Sequence, residues 1–299
     1  GLRILGIILL SIVAFWIFSD VSGYQFSIAF VMLYTGLDLA TIMVLLLYVK
    51  DRRLVEAVIT DLIERGERSR EERVSRFGGD FDAIIAALGS DDEHEREEAV
   101  EALSELSDPR TILPLIRALS DESPFVRRRA ADALGRADSP KAVDPLMKAL
   151  TDEDRYVRET AAESLGRLGD RAIPVLIRGL DNEDWRVRVG SLIALRVTHG
   201  TIRSVDSVLE RLQDESPYVR REAVKTLGRI GNSTIVPYII QATKDSDPGV
   251  RLRAIRALGK LGEREEVVPV LERCARDEHG AVRVQAREEL ERVRGGRDG

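Results

Sequence analysis

The 299-residue chain is 44% hydrophobic and 32% charged, with a net charge of −6. These shares exclude both a disordered chain and one embedded in a membrane along its whole length. A single cysteine, Cys274, excludes an internal disulfide and a zinc site of several thiolates, and the acidic balance disfavours a protein that coats nucleic acid.

The first fifty residues are unlike the rest. Leu2 to Phe18 is apolar apart from Arg3 and Ser11, and Phe26 to Tyr48 is apolar apart from Asp38 and small polar groups. Helices over these stretches would span about 25 Å and about 35 Å, against a hydrocarbon core of about 30 Å. The pattern predicts a transmembrane hairpin over residues 1–50, with helices at 2–18 and 26–48. The first segment reads either as a retained helix, with Trp16 and Phe18 as interface anchors, or as a signal peptide cleaved after Gly23. Arg3 precedes the pair and Lys50, Arg52 and Arg53 follow it, while Ser19 to Gln25 holds no basic residue. On either reading the positive-inside rule places residue 49 onward in the cytoplasm.

Asp38 lies near the middle of the second helix. A charge at that depth costs at least about 2.5 kcal/mol on insertion scales. It reads either as a contact to a partner subunit or ion path, or as a protonated side chain bonded to Thr35 or Thr41. Gly36 and Ala40 form a small-xxx-small pair that suits a neighbouring helix. Beyond the membrane, Leu54, Val55, Val58, Ile59, Leu62 and Ile63 make one helical stripe, which needs a second copy, the membrane surface or the next domain to cover it. A dimer through this juxtamembrane helix is one expectation. Residues 66–79 read as a charged linker, so the segment 51–78 joins anchor to domain.

From there the chain repeats. Six segments align on a Val-Arg pair, at Val126, Val157, Val187, Val219, Val250 and Val282, about 31 residues apart. The fourth residue after each Val is small (Ala130, Ala161, Ser191, Ala223, Ala254, Ala286), and the eighth is Leu (134, 165, 195, 227, 258, 290). Offsets 0, 4 and 8 share one helical face. Gly follows that Leu four times (135, 166, 228, 259), which predicts a helix end. A second apolar helix precedes each Val-Arg helix across an acidic turn. Such a hairpin cannot bury its face alone, so neighbours must stack.

This arrangement resembles the HEAT-repeat superfamily, specifically the short PBS-lyase HEAT-like repeats. The match is carried by D-x-x-x-x-V-R-x-x-A-x-x-x-L-G, seen as Asp121…Val126-Arg127…Ala130…Leu134-Gly135 and again from Asp152, Asp214 and Asp245. The resemblance covers about residues 80–295 and implies an all-α fold, a right-handed α-solenoid of about seven hairpins over 79–299 preceded by the transmembrane helices. For function it is nearly silent. A degenerate first copy has Glu95 in place of Val, and the last has Glu289 and Glu291 at small positions; both predict caps with a polar outer face.

Two ladders stand out. The repeated Arg (127, 158, 188, 220, 251, 283) reads either as a phosphate-binding row or as structural pairs. The structural form would use the turn Asp (121, 152, 214, 245, 277, with Asn182 in the fourth copy) or helix-end carbonyls. The residue before Val is Phe125, Tyr156, Arg186 or Tyr218, with Trp185 one place earlier in its copy. These sit beside Arg128, Arg129, Arg155 and Arg221, and have the composition of a protein-binding hot spot, or else each ring packs on the next repeat.

Motifs for nucleotide, dinucleotide or zinc chemistry are absent. His94-Glu95 is the one His-Glu pair, too few for the iron site of enzymes resembling deoxyhypusine hydroxylase. Cys274 reads as a small buried residue. The expectation is a non-enzymatic adaptor without metal or cofactor, anchored in the cell membrane of a prokaryote. Its cytoplasmic solenoid would hold a protein partner on its surface. The alternatives are an accessory subunit of a membrane complex, with Asp38 at the contact, and a bilin lyase-like enzyme or chaperone, as the resemblance implies. DNA binding is disfavoured because residues 1–78 balance in charge and leave the whole net charge on the repeats.

Overall fold

A computed structural model describes residues 75–77, 80–106, 108–198, 205–230, 233–260 and 265–295. The predicted helices 2–18 and 26–48, with Gly36, Asp38 and Ala40, and the stripe from Leu54 to Ile63 lie outside the described residues. Among the described residues no helix is long and apolar enough to cross a membrane.

The chain divides into the units Gly1–Ala83 and Ile84–Gly299. Fourteen α-helices and no strands occur among the described residues. They follow as seven pairs: α1 Phe81–Ala87 and α2 Glu93–Glu105; α3 Ile112–Ala118 and α4 Pro124–Arg136; α5 Val143–Ala149 and α6 Arg155–Arg167; α7 Ile173–Gly179 and α8 Trp185–Val197; α9 Val205–Glu210 and α10 Pro217–Ile230; α11 Val236–Ala242 and α12 Pro248–Lys260; α13 Val267–Cys274 and α14 Gly280–Gly295. From α2 onward each second helix packs on the second helix of the next pair, so the unit Ile84–Gly299 is an α-solenoid.

The first helices are short for a local reason. Proline occupies the opening turn of α3, α5, α7, α11 and α13 (Pro114, Pro145, Pro174, Pro237, Pro269), where its missing N–H costs nothing. Start positions of the second helices are set by side-chain caps. Ser123 accepts from Phe125 N–H, Asp154 from Tyr156 and Val157 N–H, and Asp184 from Arg186 N–H. These caps put each Val at the third helical position, facing the core. Val126, Ala130 and Leu134 are fully buried, as are Val157, Ala161 and Leu165.

The repeated glycines do not end their helices. Gly135 and Gly166 lie within α4 and α6, and Gly228 and Gly259 within α10 and α12. Their role is close approach. A Cβ on Gly135 would sit 2.8 Å from the Cα of Ser164 in the next repeat, and one on Gly166 would sit 2.5 Å from the Cβ of Val197. The caps also differ from expectation in one place. Glu95 and Glu291 are exposed, but Glu289 is buried against Gly259 and paired with Arg292. It occupies the position that Ser164 and Ala257 fill elsewhere, on the face toward the preceding repeat.

Candidate functional site

The arginine ladder is structural, and it uses both expected partners at once. Nη1 of Arg127 donates to the carbonyls of Asp121 and Glu122 in its own turn. Its Nε and Nη2 grip Asp152 of the following repeat at 2.8 and 2.9 Å. The same arrangement joins Arg220 to Asp245 and Arg251 to Asp277 at 2.8–2.9 Å, while Arg188 bonds Asp214 through Nη2 at 2.9 Å with its Nε 2.8 Å from the same carboxylate. It also joins Arg96 to Asp121 at 3.0 Å. Arg96 was hidden in the sequence by Glu95, although its position after the missing Val is the signal that could have found it. These five side chains are only 6–14% exposed. The hydrogen bond to each Asp holds the guanidinium above its usual value, against the opposing pull of desolvation.

Two ladder members lack a carboxylate among the described residues. Arg283 belongs to the last repeat and bonds only to its own carbonyls. Arg158 is internal. It donates to the carbonyls of Asp152 and Glu153, but the following repeat offers Asn182.

The aromatic row lies at the starts of α4, α6, α8 and α10. Phe125 is 53% exposed, Tyr156 61%, Trp185 39% and Tyr218 55%. Trp185 and Tyr218, from consecutive repeats, stack with centroids 4.9 Å apart. Arg221 covers Tyr218 at 5.4 Å. Trp185 and Tyr218 thus pack across a repeat boundary, while large parts of all four rings face solvent.

Most of the neighbouring arginines are neutralised within the chain. Arg129 pairs with Glu97, Arg155 with Glu159, Arg186 with Asp184 and Arg221 with Asp247, at 2.7–2.8 Å. Arg128 is half-buried and makes no ion pair among the described residues. The Arg186 and Arg221 hydrogen bonds hold the carboxyls of Asp184 and Asp247 below the ordinary carboxylate value. The edge is thus aromatic, with fixed ion pairs between the rings.

No group of three or more His, Cys, Asp or Glu able to hold a metal occurs among the described residues. His94 faces Glu98 at 3.3 Å. Cys274 is buried, and that burial pushes its thiol up, away from a reactive thiolate.

Comparison with known proteins extends the architecture. Yeast importin-beta (Kap95p) superposes with a TM-score of 0.56 at 14% identity, over 85% of this chain and 40% of that one. Kap95 in the Kap95:Nup1 complex gives 0.58 at 14%, over 85% and 40%. The chain therefore spans about two fifths of the length of these relatives. The complex of CpcE and CpcF of phycocyanin lyase from Nostoc sp. PCC7120 gives 0.38 at 24%, over 73% and 93%. No curated protein sequence matches. The model of HEAT repeats matches residues 81–165, 112–196 and 205–291, more than half of the chain. This protein belongs to the HEAT-repeat family.

Proposed function

We propose that the protein is a membrane-anchored scaffold that holds a partner protein along the edge of Phe125, Tyr156, Trp185 and Tyr218. The observation that carries this reading is the exposure of large aromatic rings at the starts of four consecutive second helices. Rings of this size supply much of the energy of an interface once a partner covers them. The bidentate pairs of Arg186 and Arg221 hold the surface between the rings in one shape, which lowers the ordering cost of binding. Kap95, a solenoid of the same architecture, forms a complex with Nup1, which supports a binding role.

The anchor in this reading is the hydrophobic hairpin 2–18 and 26–48, with the solenoid on the cytoplasmic face of a prokaryotic cell membrane. Anchoring raises the partner's effective concentration there. The role needs neither cofactor nor catalytic residue. Asp38, midway along 26–48, favours a second reading as an accessory subunit of a membrane complex, with a transporter or channel as the partner.

Photo-crosslinking tests the edge directly. With the full chain in its native membrane, a crosslinking side chain at position 156 or 218 is expected to trap one discrete partner. Position 238, an exposed tyrosine on a first helix, is expected to trap none. Equal trapping at all three positions, or none at 156 and 218, would contradict the reading.

A further inference from the structure

We propose that the free edge of Arg158 is a carboxylate-receiving site, filled by an acidic side chain of the partner protein; this rests on the partner-binding reading above. At five of the six junctions between repeats, the Nε–Nη2 edge of the ladder arginine takes a carboxylate from the next turn. At the junction of α6 with the α7–α8 turn it does not. Arg158 is held as the others are, with Nη1 on the carbonyls of Asp152 and Glu153 at 2.6 and 2.8 Å. Its outward edge is therefore aimed where an Asp would stand, and Asn182 stands there.

Asn182 keeps the turn and makes no hydrogen bond to Arg158 among the described residues. Its Oδ1 accepts from Asp184 N–H at 2.9 Å, as the Oδ1 of Asp152 accepts from Asp154 N–H. The remaining amide nitrogen only donates, and a guanidinium accepts nothing. The five ladder aspartates are half-buried, whereas Asn182 is exposed and Arg158 is half-buried. A planar fork anchored on one side and open on the other is suited to a carboxylate, which it binds with two parallel hydrogen bonds. Tyr156 lies two residues before Arg158 and Trp185 three after Asn182, so the site and the proposed edge share one junction between repeats.

Glu183 is the intramolecular rival. Its counterparts Glu122, Glu153, Glu215 and Glu278 reach Nη2 of a ladder arginine at 3.0–3.5 Å while remaining 84–88% exposed. Glu183 makes no such contact among the described residues. The Glu153 carboxylate is engaged by Arg127 and offers Arg158 only its carbonyl.

The test follows the Nε–Hε resonances of arginine in the full-length protein in detergent, with Arg158 assigned through Arg158→Lys. N-acetyl-glutamate methylamide is expected to move the Arg158 signal saturably, with the glutamine analogue at least about ten-fold weaker. The Arg127 and Arg220 signals should stay in place. Asn182→Asp supplies the carboxylate from within, as five other junctions do, and should abolish the movement. Movement no greater than that of exposed Arg155, or movement that survives Asn182→Asp, would overturn the proposal. So would a response that appears only in Glu183→Gln, since Glu183 would then own the site. Loss of the crosslinks at 156 and 218 would instead overturn the partner-binding reading, so the two failures are distinguishable.

Discussion

A guanidinium taken out of water is stabilised when its donors are met, and five ladder arginines meet carbonyls on one side and a carboxylate on the other. Removing one partner of such a pair leaves a buried charge exposed to its own desolvation cost, typically about 3–5 kcal/mol. Asp245→Ala, which strands Arg220, is expected to cost about 3 kcal/mol, the lower end because Arg220 is 14% exposed. Arg158→Ala removes no ion pair among the described residues and is expected to cost under about 1 kcal/mol. Urea melts of the two variants check the contrast, and equal losses would mean that the carboxylate contributes little. Acid acts on the same chemistry with a definite sign. The Asp247 carboxyl sits below 3.8 in the folded state because Arg221 bonds to it. Its contribution is therefore present above the unfolded value and lost as pH falls through the folded one. Asp247→Asn should lower stability at pH 7 and leave it nearly unchanged once the acid limb is passed, as melts across that range would show. The alignment of Arg with Asp was legible in the sequence, because both recur at the repeat period. That Arg96, Arg127, Arg188, Arg220 and Arg251 reach forward to the next repeat's Asp, and not back, was not, since a period alone does not say which neighbour is touched.

Helix identity was the most legible feature, because Val, Ala and Leu at offsets 0, 4 and 8 mark one buried face. The purpose of the repeated glycine was the least legible. A glycine after the last apolar residue usually ends a helix, but here it admits the next repeat's helix. Gly135→Ala is expected to destabilise by about 1–3 kcal/mol despite better helix propensity, because the contact is with the Cα of Ser164, which cannot turn aside. Gly280→Ala, where the nearest atom is the tip of Arg283 at 3.7 Å, should be neutral or stabilise by up to about 1 kcal/mol. Thermal melts of the pair separate packing from propensity. Glu289 teaches the same lesson from the other direction. Its polarity suggests an outer face, yet its place in the repeat sets it against Gly259, where Arg292 supplies the opposite charge.

A solenoid's stability is close to a sum over repeats and the interfaces between neighbours, so one missing ion pair alters one seam and leaves the rest intact. That independence lets a single junction carry Asn182 while five keep Asp. Asn182→Asp should raise the melting temperature by about 2–4 °C, the shift for about 1 kcal/mol in a domain of this size. The aromatic row spans the same junction and is the edge proposed for partner binding. Its position at the helix starts was readable from the sequence, and its partial exposure followed from standing one residue before a buried valine. The stacking of Trp185 on Tyr218 was not readable, because it depends on how two repeats meet. The most direct measurement is copurification of partners with the full chain from native membranes, comparing wild type with Phe125→Ala/Tyr156→Ala/Tyr218→Ala. A partner retained by the wild type and lost from a variant that still melts cooperatively is the predicted result. The same partners on both proteins would contradict a binding role for this edge.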